Sequence, residues 1–342
     1  MTPQQQFLRW WVHQLRTYDC DSSIFMMKYV IDRMELNTEQ RFWFCWIYAN
    51  TYQVATAWVI FNEFPDYENT PQARIARWSH TERHRLPYQK DQKWLRGNLG
   101  DTFKSYQDYI GEGSQQERFA PLTNPHTARL NFDTLWWAII DRFHRFGRYT
   151  AWFYMQALSE ICGLKLEPPH MFLSSPSSVA PRAGLCYAIG EDFWATKGHP
   201  MDEHQYRVLN YQAAKMLSYI RTVFPELELL PVRADYFSME TSLCSFKKLF
   251  RTTNGRYLGY YLDRQAEDIT KTASMDWPGI NWRLLWDARH ECLLPQLVRN
   301  TVDKSLYSLY TDTDGSILCN DSLLQNQLDS HFLARTTQHP LL

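Results

Sequence analysis

The stretch Glu39-Gln-Arg-Phe-Trp-Phe-Cys-Trp-Ile-Tyr-Ala-Asn50-Thr51-Tyr52 constrains the fold more than any other. From Phe42 to Ala49 it is apolar nearly all round, so a helix there offers water no face and must sit at the centre of a core. Asn37 with Gln40 three residues on reads as a capping box that opens this helix. Asn50-Thr51 interrupts it, Val54 to Phe61 resumes as a second apolar segment, and Pro65 forbids further helix. A polar break between buried segments, followed by Asn62-Glu63-Phe-Pro-Asp66, is how a pocket with a few convergent functional groups reads in sequence.

Helical periodicity dominates the rest of the first half. Phe7, Trp10, Trp11, Gln14 and Leu15 share one face, and Asp21 or Ser22 caps a second helix through Met26, Met27, Val30, Ile31 and Met34. Thr70-Pro71 opens another. Between Pro87 and Pro125 the pattern weakens, with loops expected at 96–101 and 111–113. Asp133 is expected to cap a helix through Trp136, Trp137, Ile140, Phe143 and His144; Gly147 breaks it, and Tyr149 to Ile161 continues until Gly163. The Pro- and Ser-rich stretch 167–184 reads as a linker. Beyond it helices are expected at about 202–224, 238–252, 260–273 and 281–293, and Asp314-Gly315 reads as a hairpin turn. The fold class is mainly α: a multi-helix globular protein with a buried aromatic-rich central helix, long loops and little sheet. An N-terminal helical region, 1–165, and a C-terminal one, 185–342, are expected to pack as one catalytic unit with the site between them.

With 342 residues the chain can bury a sizeable core without staples. Its seven cysteines are odd in number and contain no C-x-x-C pair, which reads as reduced thiols in a cytoplasmic protein. The first residues lack a secretion signal's layout and no run approaches a membrane span, so no membrane association is expected. Net charge is −1, but basic residues cluster at Arg74/Arg77/Arg83/Arg85/Lys90/Lys93/Arg96, at Arg142/Arg145/Arg148 and at Lys247/Lys248/Arg251/Arg256. Each cluster is either a solvated helix face or a phosphate contact. Phe, Trp and Tyr make up 15% of the chain, a surplus that suits base stacking and a dense helical core alike.

Several chemistries lose their signatures. There is no G-x-x-x-x-G-K-[ST], which argues against a P-loop kinase, and no G-x-S-x-G nucleophile elbow. His80-Thr-Glu82-Arg-His84 has two imidazoles at zinc spacing, yet the glutamate is one position late and arginines crowd it, so a basic helix surface is the better reading. Thr311-Asp-Thr-Asp314-Gly315 lacks the closing glutamate of a calcium loop.

Four clusters remain: Arg41 with Asn50, Thr51 and Tyr52; Asn62-Glu63 with Asp66; Arg96 to Tyr106, containing Asp101; and Glu240 to Lys247-Lys248 with Arg256, Tyr257, Tyr260, Tyr261, Asp263 and Arg264. The bland reading of Glu63 is a helix-end carboxylate paired with an arginine; that of Lys247 and Lys248 is a solvated face; that of Arg148 is a solvated side chain at a helix break. Taken together the carboxylates, amides, cations and aromatics fit recognition of a phosphoryl or pyrophosphoryl group beside a planar base.

At these residues, and at Leu-Cys-Ser-Phe-Lys-Lys and Tyr-Leu-Gly-Tyr-Tyr-Leu-Asp-Arg, the chain resembles the amino acid:DNA transferase family of bacteriophages, also called alpha-glutamyl/putrescinyl thymine pyrophosphorylases. It is also similar to the helical domain attached to phage 5-hydroxymethyluracil DNA kinases. The similar blocks run from about residue 7 to 295. The resemblance implies an enzyme that acts after such a kinase, on DNA carrying pyrophosphorylated 5-hydroxymethyluracil. It displaces the pyrophosphate with the amine of a free amino acid or polyamine and so forms a hypermodified thymine. The missing P-loop matches the transferase rather than the kinase.

Displacement at that methylene needs a stabilised leaving group, a proton acceptor and an oriented base. On this assignment Arg41, Lys247, Lys248, Arg256 and Arg264 are the candidate pyrophosphate cations, and Arg148 is a further substrate-binding candidate. Glu63 is the first candidate proton acceptor, with Asp101 or Asp263 in reserve. Asn50, Thr51 and Tyr52 would read the uracil edge, and Asn62 and Tyr257 are further substrate-binding candidates. Trp43 and Trp46 would favour a flipped base, though most such rings belong to the core. No cofactor is required, and a divalent cation travelling with the pyrophosphate stays open. The rival readings are a glycosylase-like base-processing enzyme and a noncatalytic DNA-binding accessory.

Overall fold

The computed structural model describes residues 2–88, 99–196, 199–250, 261–292, 309–311, 317–319, 332 and 335–336. Among these, fourteen α-helices follow one another: α1 Pro3–Arg16, α2 Ser22–Arg33, α3 Thr38–Thr51, α4 Val54–Glu63, α5 Gln72–Glu82, α6 Leu99–Ile110, α7 Gln115–Phe119, α8 Ala128–Arg142, α9 Arg148–Cys162, α10 Val179–Ile189, α11 Glu203–Val223, α12 Tyr236–Leu249, α13 Tyr261–Ala273 and α14 Trp282–Cys292. Two three-residue strands, β1 Leu309–Thr311 and β2 Ile317–Cys319, pair antiparallel, with Tyr310 opposite Leu318. They flank Asp314-Gly315, as a hairpin requires; those two residues lie outside the described ones. The mainly α class read from periodicity is the fold observed.

The chain forms two compact units, each built from separated segments. One comprises residues 1–22, 170–263 and 290–342; the other comprises 23–169 and 264–289. In the first, α1 packs on α10 and α12, and α10 on α12. Trp10 and Trp11 are fully buried there, and their indole N–H groups donate to Ser245 Oγ at 3.0 Å and Ser238 Oγ at 3.2 Å. Serine at 238, 242 and 245 puts small hydroxyls on the α12 face that receives α1, so the indoles find both room and acceptors. Gly184 allows the closest approach: a Cβ there would lie 2.1 Å from the Leu243 carbonyl oxygen.

In the second unit α3 packs against α4, α7 and α9. Its capping box is present: Asn37 Oδ1 accepts from Gln40 N at 2.9 Å, and Gln40 Oε1 from Asn37 N at 3.2 Å. Trp43 and Trp46 are both fully buried and stacked, with ring centroids 4.9 Å apart and Phe103 against each. The aromatic surplus is thus core on these two rings, and neither is open to a base. Tyr52 ends the helix in the left-handed region, φ 48°.

Three boundaries differ from the sequence reading. Residues 99–101 open α6 instead of completing a loop, because Gly100 lets α6 approach α5 so closely that a Cβ would meet Ala76 Cβ at 2.3 Å. Asp133 lies inside α8, which starts five residues earlier, after a turn in which Asn124 accepts from the His126 N–H. The linker-like stretch runs into α10, whose Pro181 and Gly184 are buried.

Candidate active site

The break between α3 and α4 brings part of the predicted set together. Thr51 is fully buried; its hydroxyl donates to the Tyr48 carbonyl at 3.2 Å and accepts from the Gln53 N–H. Asn50 is buried as well. Its Nδ2 donates to the Trp46 carbonyl at 2.8 Å, whereas its Oδ1 has no hydrogen-bond partner among the described residues. Tyr52, half-buried, turns its ring onto Phe153 at 4.2 Å and Tyr149 at 5.7 Å, both in the first two turns of α9. Arg148 is the first residue of α9, largely buried, with its guanidinium 5.0 Å from the Trp152 ring centre. Gly147, the residue preceding α9, supplies no side-chain cap to the N–H groups of that first turn. One end of α3 and the start of α9 thus converge as an aromatic rim beside a cation and a positive helix end.

Other predicted residues lie apart from this convergence. Arg41 is eleven residues before Tyr52 on one helix, about 16 Å at 1.5 Å per residue. Its guanidinium donates to the Leu36 carbonyl at 2.9 Å and faces Asp32 at 3.7 Å. Glu63, at the far end of α4, accepts from Arg74 at 2.7 Å, and Asn62 Nδ2 bonds back to the Trp58 carbonyl at 2.8 Å. Asp101, in the first turn of α6, is exposed and has no ion-pair partner among the described residues. It lines a cleft of about 520 Å³ with Lys104, Ser105, Asp108, Asp141, Arg142, Phe143 and His144. Here Ser105 Oγ accepts the His144 N–H at 2.9 Å, tying the loop after α8 to α6.

The remaining candidates belong to the other unit or to its edge. Lys247 and Lys248 close α12, where the helix dipole favours cations. Lys248 Nζ donates to the Tyr261 hydroxyl and lies 4.8 Å from that ring's centre. Asp263 and Arg264 fall in α13, and only their backbone is described; Arg256 and Tyr257 lie outside the described residues. Among the described residues no three His, Cys, Asp or Glu side chains converge to hold a metal ion.

The sequence reading placed Glu240 in the fourth cluster and took Asp21 as a cap candidate, but it missed Asp19 and the burial of all three carboxylates. Asp21 adopts φ 54° and its Oδ1 accepts from Thr241 Oγ1 at 2.8 Å; Asp19 and Glu240 are likewise buried. Burial, with Asp21 beside it, pushes the Cys20 thiol well above its ordinary range, so Cys20 stays protonated at neutral pH. The serine spacing on α12 was the available signal for a polar seam, since i, i+4, i+7 hydroxyls face one partner helix.

The family model "Amino acid:DNA transferase" matches residues 3–254. A serinyltransferase of Salmonella phage ViI is 25% identical over 301 residues, covering 82% of this chain and 72% of that protein. No solved structure matches the chain. The described helices include none long and apolar enough to cross a membrane. The chain belongs to the amino acid:DNA transferase family and is a transferase that places an amino acid on DNA.

Proposed function

We propose that the acceptor is 5-(pyrophosphoryloxymethyl)uracil in DNA, prepared by a 5-hydroxymethyluracil DNA kinase. The observation that carries this reading is the convergence of Tyr52 and Tyr149 with Arg148 at the N-terminus of α9, where Gly147 offers no side-chain cap. Two aromatic edges suit a uracil, and a guanidinium with N–H groups at a positive helix end suits the pyrophosphate beside it. The amine nitrogen bonds to the exocyclic methylene as the methylene C–O bond breaks. Pyrophosphate leaves with the bonding pair, and the proton shed by nitrogen passes to a carboxylate. Lys247 and Lys248, in the other unit, are further cations for the DNA.

The test is incubation of pyrophosphorylated 5-hydroxymethyluracil DNA with the protein and glycine, serine, glutamate or putrescine, followed by digestion and mass spectrometry. An amine-substituted nucleoside with stoichiometric pyrophosphate release is expected. Arg148→Ala should reduce it at least tenfold, the loss of one charge-assisted contact in the transition state. Abasic sites in place of substituted nucleoside would mean base excision instead.

A further inference from the structure

The two ends of α5 are tied to the two ends of α4, which fixes where its outer face leads. Near its start Arg74 holds Glu63, the last residue of α4, at 2.7 Å, and Trp78 packs edge-on against Phe64. Beyond its C-terminal end the Pro87 carbonyl accepts from Thr56 Oγ1, in the first turn of α4. The chain from Arg74 to Pro87 therefore runs antiparallel to α4 and returns toward the α3–α4 break, since Thr56 stands four residues after Tyr52.

This segment carries Arg74, Arg77, His80, Arg83, His84 and Arg85 against one carboxylate, Glu82. Arg74 is committed to Glu63. Arg85 pairs with Glu82 at 2.7 Å, donates to the Asp276 carbonyl at 2.9 Å and lies 4.2 Å from the Trp277 ring centre, so the segment's only acid is neutralised from within. Arg77, His80 and His84 are exposed, and their side chains make no hydrogen bond or ion pair to any described residue; Arg83 is exposed among them. At i, i+3, i+6 and i+7 these four share one face, while Ile75 and Ser79 are buried on the other. Solvated helix faces elsewhere in the chain mix signs instead: Lys104 meets Asp108, Arg207 meets Glu203 and Arg283 meets Asp287, each at i, i+4. The α5 face keeps a single sign.

Its length suits a nucleic-acid strand. Arg77 to His84 spans about 10 Å at 1.5 Å per residue, and one strand of duplex DNA carries a phosphate about every 3.4 Å along its axis, so four donors meet about three phosphates. We infer that this face of α5 is a DNA contact that grips the phosphate backbone of one strand and takes no part in reading the base. A strand seated there leads toward the aromatic rim at Tyr52, because His84 is three residues, at most about 11 Å of chain, from the Pro87 tie to Thr56. The inference needs only DNA as the acceptor polymer, and so goes beyond the reading of which base is modified.

Fluorescence anisotropy of a labelled, unmodified duplex at several salt concentrations tests it. Arg77→Ala should weaken binding about three- to tenfold near physiological salt and flatten the slope of log affinity against log salt by about 0.9, one phosphate contact. Adding His80→Gln and His84→Gln should weaken binding further, equally on two unrelated sequences. Arg207→Ala, on the exposed face of α11, should leave affinity and slope unchanged. Circular dichroism of each variant should match the wild type, since all four positions are exposed. Full affinity with an unaltered slope in the triple variant, or a loss in Arg207→Ala as large as in Arg77→Ala, would overturn the inference. Weakened binding by the triple variant, with no transfer to pyrophosphorylated DNA by the wild type, would uphold the contact face and remove the proposed acceptor instead.

Discussion

Tyr67 shows how one side chain reports its surroundings. Burial first, then the Glu39 and Glu68 carboxylates, push its phenol from 10.0 to about 12. The folded state therefore favours the neutral phenol. The stability this contributes is complete below the unfolded value near 10 and is lost as pH rises through 12. The phenolate difference spectrum between the wild type and Tyr67→Phe should titrate near 12, and Glu68→Gln should move it downward; a titration at 10 would place the hydroxyl in open water. Gly184 makes a different residue-scale prediction. Because the Leu243 backbone stands 2.1 Å from the missing Cβ, Gly184→Ala must part α10 from α12. Overpacking against backbone costs about 1–3 kcal/mol or more, visible as a lower melting temperature. Neither effect was legible in sequence, where Gly184 sat in an apparent linker and Tyr67 was one aromatic among many; both depend on which distant atoms come close.

Among elements, caps read from sequence located some helix starts and misplaced another, Asp133, which lies inside α8. Asn37-x-x-Gln40 predicted the start of α3, and the box is formed. The start of α11 follows the same rule, with Asp202 Oδ1 accepting from Gln205 N at 2.8 Å and Gln205 Oε1 from Asp202 N at 2.9 Å. Asp202→Ala should cost about 1 kcal/mol in denaturant unfolding, with the m-value unchanged. Capping is local, three residues deep, so it can be read without the fold. The starts of α6 and α10 could not be read, because Gly100 and Gly184 are helical only by virtue of the helices they touch. The same limit applies to the polar end of α3: sequence marked Asn50-Thr51-Tyr52 as functional, while the fold buries Asn50 and Thr51 and leaves Tyr52 as the ring that meets α9.

For the whole molecule, the segment order of the units matters most. Residues 1–22 belong with 170–263, and the two buried tryptophans of α1 fill the core there. Removing a buried Trp typically costs about 3–5 kcal/mol, so a chain starting at Ser23 should lose cooperative folding of that unit. Circular dichroism and thermal unfolding of residues 23–342 would check this; a melting transition like that of the full chain would contradict it. By itself the sequence determined the mainly helical class, the central aromatic helix, most helix positions and the family, because periodicity, caps and motifs are properties of neighbouring residues. Only the tertiary structure decided that Glu63 is held by Arg74, that Tyr52 meets the start of α9, and that α5 runs antiparallel to α4 with Arg77, His80 and His84 uncommitted among the described residues. Those outcomes turn on which side chains meet across helices and which hydrogen-bonding groups are already spent, and no local pattern carries that information.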